Sequence, residues 1–171
     1  MTKYAYRVES RMIKEPDFPY AGQILSRPDT IADFLSPLIE RDQENMVIVY
    51  LNTKNTLIGL SIQTGTLNRS AIWIREIIKG ALLCAASSIV IAHNHPSGDS
   101  EPSQEDIALT KAIQAACQVV GVGFLDHVVL GDGNYCSLAA RTPCRKVTLS
   151  YMPTGALGRN REGWVNHLCS M

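Results

Sequence analysis

Hydrophobic and polar positions along this 171-residue chain change period several times, and each change marks an element. In "RPDTIADFLSPLIERD", Ile31, Phe34, Leu35, Leu38 and Ile39 recur at helical spacing, which predicts an amphipathic helix capped by Asp29 or Thr30 and kinked or shortened at Pro37. "ENMVIVYLN" reads as a buried strand, "TKN" as a turn and "TLIGLSIQ" as the hairpin partner. "IWIREIIKGALLCAA" returns to helical spacing. The nearly continuous apolar run "SIVIAH" is a central strand, and a third helix is predicted over about residues 103 to 120. "VGFLDHVVLG", a "DGN" turn and "YCSL" make a closing hairpin, at which the sheet is complete. The order α-β-β-α-β-α-β-β implies an α/β (α+β sandwich) fold, a mixed β-sheet flanked by helices.

The two ends have a different texture. Residues 1–28 form an N-terminal arm rich in Pro and Tyr, and residues 29–140 make the domain. Residues 141–171 carry Arg141, Arg145, Lys146, Arg159 and Arg161 against Glu162 alone, a basic and loosely structured tail. That tail reads as a solubilising extension in preference to a nucleic-acid-binding one. Sixteen acids balance sixteen bases, so no global charge draws the chain to nucleic acid or anionic lipid. No apolar run approaches the ~20 residues of a membrane helix. The charged N-terminal stretch lacks a signal-peptide core, so a cytoplasmic location is expected. Five cysteines without CxxC spacing are expected as free thiols, Cys84 and Cys117 as small core residues. Cys136, Cys144, His167 and Cys169 match the spacing of no familiar zinc finger.

Chemistry concentrates in "IAHNHPSGDSEPSQEDIAL", residues 91 to 109. Alternation along a strand sets His93 and His95 on one side, and Pro96 ends the strand there. Ser103 and Asp106 open the third helix, after a six-residue loop long enough to fold its first turn back over the histidines. Two imidazoles and one carboxylate, with a fourth position open, is the ligand set of a catalytic zinc. Such a metal makes hydroxide available from water at neutral pH. The same "SQED" is a capping box, with Ser103 as N-cap, so capping alone competes with metal binding for this stretch.

"HNHPSGDSEPSQED" closely resembles the JAMM (MPN+, JAB) metalloprotease motif, HxHP followed by six residues and SxxD. "LNTKNTLIG", "GTLNRS", "REI", "AHNHPSGDSEPSQEDIALT", "LDHVVLG" and "YCSL" narrow the resemblance to the RadC branch, over roughly residues 30 to 140. The chain departs from longer RadC proteins in showing no helix-hairpin-helix pair, and "WIREI" stands where the family more often has a proline before the arginine. The resemblance implies the MPN/JAB (cytidine deaminase-like) architecture, a Zn2+ cofactor and hydrolysis of an amide bond in a protein or peptide substrate. Its other implication is a DNA repair or mobile-element-associated accessory role without proteolysis. It would assign His93, His95 and Asp106 to the metal, and an upstream glutamate as general base activating the water at zinc.

Glu44 in "RDQENMVIVYLN" occupies the position that the resemblance implies for the base, with Glu76 in "IREI" as the alternative. Ser103, besides capping, is expected to donate to the oxyanion of a tetrahedral intermediate, as the family's serine is held to do. Asn94 points away from the histidines and reads as structural. Asp126 and His127 lie on the closing hairpin, and His127 reads as structural and not as a fourth ligand.

Overall fold

The computed structural model describes residues 22–37, 43–64, 70–140 and 145–146. Nine elements follow in chain order. They are α1 (Pro28–Leu35), β1 (Asn45–Leu51), β2 (Leu57–Thr64), α2 (Ser70–Leu83), β3 (Ser88–Asn94), α3 (Gln104–Val120), β4 (Gly123–Leu130), β5 (Asn134–Ser137) and β6 (Arg145–Lys146). The strands form one mixed sheet in the order β2-β1-β3-β4-β5-β6. Its one parallel pair is β3 with β4, and α3 is the crossover between them.

Strand alternation explains why the sheet is covered on both faces. Every residue of β1 is buried. Val47, Val49 and Leu51 pack with Val90, Ala92, Val128 and Leu130 of the neighbouring strands and with Ile31, Phe34 and Leu35 of α1. Met46, Ile48 and Tyr50 face the other way, joining Ile89, Ile91, Ile77 of α2 and Leu109, Ile113 and Cys117 of α3. This is an α/β fold with one helix below the sheet and two above it. His93 continues the row of Ile89 and Ile91 on the α2/α3 face.

The approach of α2 to β1 is close at one point. A Cβ on Gly80 would stand 2.0 Å from the Tyr50 hydroxyl oxygen, which itself bonds Ser61 at 3.0 Å. Glycine there lets the helix backbone lie against the ring.

Several expectations are corrected. The N-cap of α1 is Arg27, without a side-chain cap, and not Asp29 or Thr30. Pro28 takes the first helical position, where its missing N–H is not needed, and so the cap lies two residues before Asp29. Asp29 instead pairs with the Arg27 guanidinium and accepts from the Thr30 amide at 2.8 Å. The helix ends at Leu35; Leu38 and Ile39 lie outside the described residues. The sheet is not complete at "YCSL", because β6 pairs antiparallel with β5, Arg145 opposite Tyr135 and Lys146 opposite Asn134. Nor is the arm wholly apart from the domain. Ile24 bridges Thr56 beyond the β1–β2 turn, and Leu25 is fully buried in the α1-side core. Cys144, His167 and Cys169 lie outside the described residues. Cys117 and Cys136 are buried free thiols, and Cys84 is a half-buried one. No helix among the described residues is long and apolar enough to cross a membrane.

Candidate metal centre

The C-terminal end of β3, the turn after it and the first turn of α3 meet above the sheet. Gly98 holds that turn in a left-handed conformation at φ +77°, its amide donating to the His95 carbonyl at 2.9 Å. The loop that follows delivers Ser103 as the N-cap of α3. The capping box is complete. The Asp106 amide donates to Ser103 Oγ at 3.1 Å, and the Ser103 amide donates to Asp106 Oδ2 at 2.8 Å. Capping and metal binding are therefore not rivals here, since the cap is what aims the Asp106 carboxylate.

His93, His95 and Asp106 converge, each offering one ligand atom within 4.8 Å of the others, and they are the one such group among the described residues. His93 Nε2 lies 3.2 Å from Asp106 Oδ1, His95 Nε2 lies 3.3 Å from Oδ2, and the two Nε2 atoms are 3.0 Å apart. Both His93 and Asp106 are fully buried. Oδ2 accepts from Ser103, but Oδ1 accepts no hydrogen bond. A buried carboxylate oxygen without a donor is costly unless a cation answers it.

Outside this trio, each imidazole has a partner for its other nitrogen. His95 Nδ1 stands 2.8 Å from the Asp99 carbonyl. A carbonyl can only accept, so Nδ1 carries the proton and Nε2 presents its lone pair to the centre. His93 Nδ1 meets His127 Nε2 at 2.7 Å, and His127 Nδ1 meets the Thr110 hydroxyl at 2.6 Å. Two lone pairs and a carboxylate oxygen this close repel one another unless a cation lies among them, and this donor set suits a divalent metal.

Burial opposes ionisation of Asp106, and the Ser103 hydroxyl and amide that donate to Oδ2 favour it. Complete burial, with the neighbouring His93 ring adding to it, pushes the His127 imidazole well below its ordinary value, so that ring is neutral.

Glu44 precedes β1 and is half-buried. Met46 pairs with His93 across β1 and β3, and Glu44 stands two residues before Met46, just ahead of β1. Glu76 pairs with Lys79 at 3.3 Å on α2. Asn94, on the other face of β3, holds the approach to Glu44. Its carboxamide accepts from the Asn45 amide at 2.9 Å and donates to the Gln43 carbonyl at 2.8 Å. Asp126 accepts from the His127 and Ala139 amides and from the Ser137 hydroxyl, tying β4 to the end of β5.

Sequence reasoning passed over Thr110 altogether and saw in His127 no link to the ligands. Thr110 stood within reach of a local rule, since it follows Asp106 by four residues and so shares its helix face. His127 needed the β3–β4 register, with Ile91 opposite His127, which no local pattern announces.

Comparison with known proteins agrees with this geometry. A family model described as RadC-like JAB domain matches residues 25–143. A UPF0758 protein of Staphylococcus carnosus is 39% identical over 137 residues, 80% of this chain and 60% of that one. Another, of Actinobacillus pleuropneumoniae serotype 5b, is 44% identical over 105 residues, 61% of this chain and 48% of its own length. A third, of Methanosarcina acetivorans, is 38% identical over 135 residues, covering 78% of this chain and 57% of the relative. The chain thus spans about half to three fifths of the length of these relatives.

Proposed function

The chain belongs to the RadC-like JAB domain family, and from that premise we propose that it is a zinc-dependent metallohydrolase of the JAMM type, cleaving an amide bond in a protein or peptide substrate. The observation that carries this reading is Asp106 Oδ1, fully buried, without a hydrogen-bond donor and 3.2 Å from His93 Nε2, in a carboxylate whose other oxygen lies 3.3 Å from His95 Nε2. Zinc at these ligands would supply Lewis acidity and lower the pKa of a water to about 7.

The remaining chemistry falls to side chains. Glu44, just before β1 and two residues from the Met46–His93 pair, takes a proton from the attacking water as its oxygen bonds to the substrate carbonyl carbon. When the C–N bond breaks, Glu44 returns that proton to the leaving amine. Ser103 donates to the oxyanion. Its hydroxyl proton rests on Asp106 Oδ2 at 2.6 Å, so this duty requires the hydroxyl to turn.

Metal analysis of the purified protein tests the reading first, with one zinc per chain expected and none in a His93→Ala, His95→Ala double variant. A screen of peptides and isopeptide-linked conjugates follows, with Glu44→Gln as the blank. Stoichiometric metal in the double variant, or turnover in Glu44→Gln equal to the unaltered protein, would overturn it.

A further inference from the structure

The metal ligands are held by a hydrogen-bonded chain that begins at one ligand and ends at another. Thr110 Oγ1 donates to the Asp106 backbone carbonyl at 2.6 Å, one turn back along α3. Its single proton is thereby used, and toward His127 Nδ1 at 2.6 Å it can only accept. His127, fully buried, then carries its proton on Nδ1 and offers a bare Nε2 to His93 Nδ1 at 2.7 Å. His93 must carry its own proton on Nδ1. What remains is an unprotonated His93 Nε2, aimed at Asp106 and His95.

We propose that Thr110 and His127 are positioning residues that lock His93 in the tautomer able to ligate a metal, by a one-way relay from His93 through His127 and Thr110 to the Asp106 carbonyl. This rests on the metallohydrolase reading of the site but goes beyond its ligands.

The two histidine ligands differ in how they are held. The Asp99 carbonyl fixes His95, and a carbonyl cannot change from acceptor to donor. Two side chains in series, His127 and Thr110, fix His93, and that chain can reverse. Reversal would need Thr110 to release the Asp106 carbonyl and donate to His127. It would then leave a proton on His93 Nε2, in the place of the metal. Bonding of Thr110 to the helix carbonyl keeps the direction. Because the acceptor belongs to Asp106, the relay also couples the His93 ring to the backbone of the third ligand.

The test separates hydrogen-bond direction from packing. Thr110→Val keeps the shape and removes the hydroxyl; Thr110→Ser keeps the hydroxyl; His127→Phe fills the buried space with a ring that cannot bond. Zinc affinity is measured by competition with a chromophoric chelator. Nitrogen-15 NMR of the metal-free protein reads the tautomers directly. The unaltered protein and Thr110→Ser should show His93 and His127 protonated at Nδ1. Thr110→Val and His127→Phe should bind zinc about 10–100-fold more weakly, the usual cost of losing a ligand's hydrogen-bond partner, and Thr110→Ser should bind like the unaltered protein. Unchanged affinity in both Thr110→Val and His127→Phe overturns the relay while leaving the metal site standing. An unaltered protein that binds no zinc overturns the site itself. A His93 protonated at Nε2 in the unaltered metal-free protein overturns the stated direction without any reference to metal.

Discussion

Asn94, at the end of β3, reaches across to Asn45 at the start of β1, whose backbone amide it receives at 2.9 Å, and it donates back to the Gln43 carbonyl at 2.8 Å. Glu44 lies between those two backbone contacts. The side chain that holds its backbone neighbours belongs to the residue between His93 and His95. The expected outcome of Asn94→Ala is loss of hydrolysis with the metal retained, because a displacement of about 1 Å at a catalytic group can cost about 10²-fold. Turnover and bound zinc measured on one preparation check it. Loss of both together would mean that β3 itself had been disturbed.

The reason the site was readable before the structure is that its two halves obey local rules. Alternation along a strand puts His93 and His95 together, and a helix cap places Ser103 beside Asp106. What joins the halves is long-range. The relay through His127 depends on β3 and β4 being parallel neighbours, and the position of Glu44 depends on the β1–β3 register. Similarly, β1 and β3 were legible from apolar runs, whereas β6 is two basic residues whose strand character comes from the exposed edge of β5 and from no pattern of their own. Leu25 was hidden for the same reason. A lone apolar residue in an arm has no periodicity, and only the hairpin it docks against reveals it as core.

Gly80 offers a stability test of the fold away from the site. Alanine is the better helix former by about 1 kcal/mol, but here its methyl would overlap the Tyr50 hydroxyl and Cζ. Overpacking of this kind costs about 1–3 kcal/mol, so Gly80→Ala should lower the denaturant midpoint with metal content unchanged. Adding Tyr50→Phe should recover only part of the loss, because the ring carbon would still stand 2.6 Å from the new methyl. A stabilised Gly80→Ala would show that α2 lies farther from β1.

Truncation must now spare β6. Deletion of residues 147–171 keeps all six strands and should leave zinc content and cooperative unfolding unaltered. Deletion from Arg141 onward removes β6 and bares β5, and should lower the melting temperature and promote association through the newly open edge. Thermal unfolding and light scattering distinguish the two forms. Equal behaviour would return β6 to the status of an ornament on a sheet already complete.

Ser103 bears three duties that single substitutions can separate. As N-cap it accepts the Asp106 amide, as donor it bonds Asp106 Oδ2, and in the proposed reaction it meets the oxyanion. Ser103→Ala removes all three. Loss of the cap should cost about 1 kcal/mol, and loss of an oxyanion donor about 10²–10³-fold in kcat. Ser103→Thr keeps the hydroxyl and the cap, and should restore stability together with most of the turnover. Ser103→Asp keeps cap capacity but brings a second carboxylate to Asp106, which donates nothing to an oxyanion and repels its neighbour. This variant should fold and still turn over no faster than Ser103→Ala. If Ser103→Asp instead proved fully active, the hydroxyl would have no role in the reaction beyond the helix it starts.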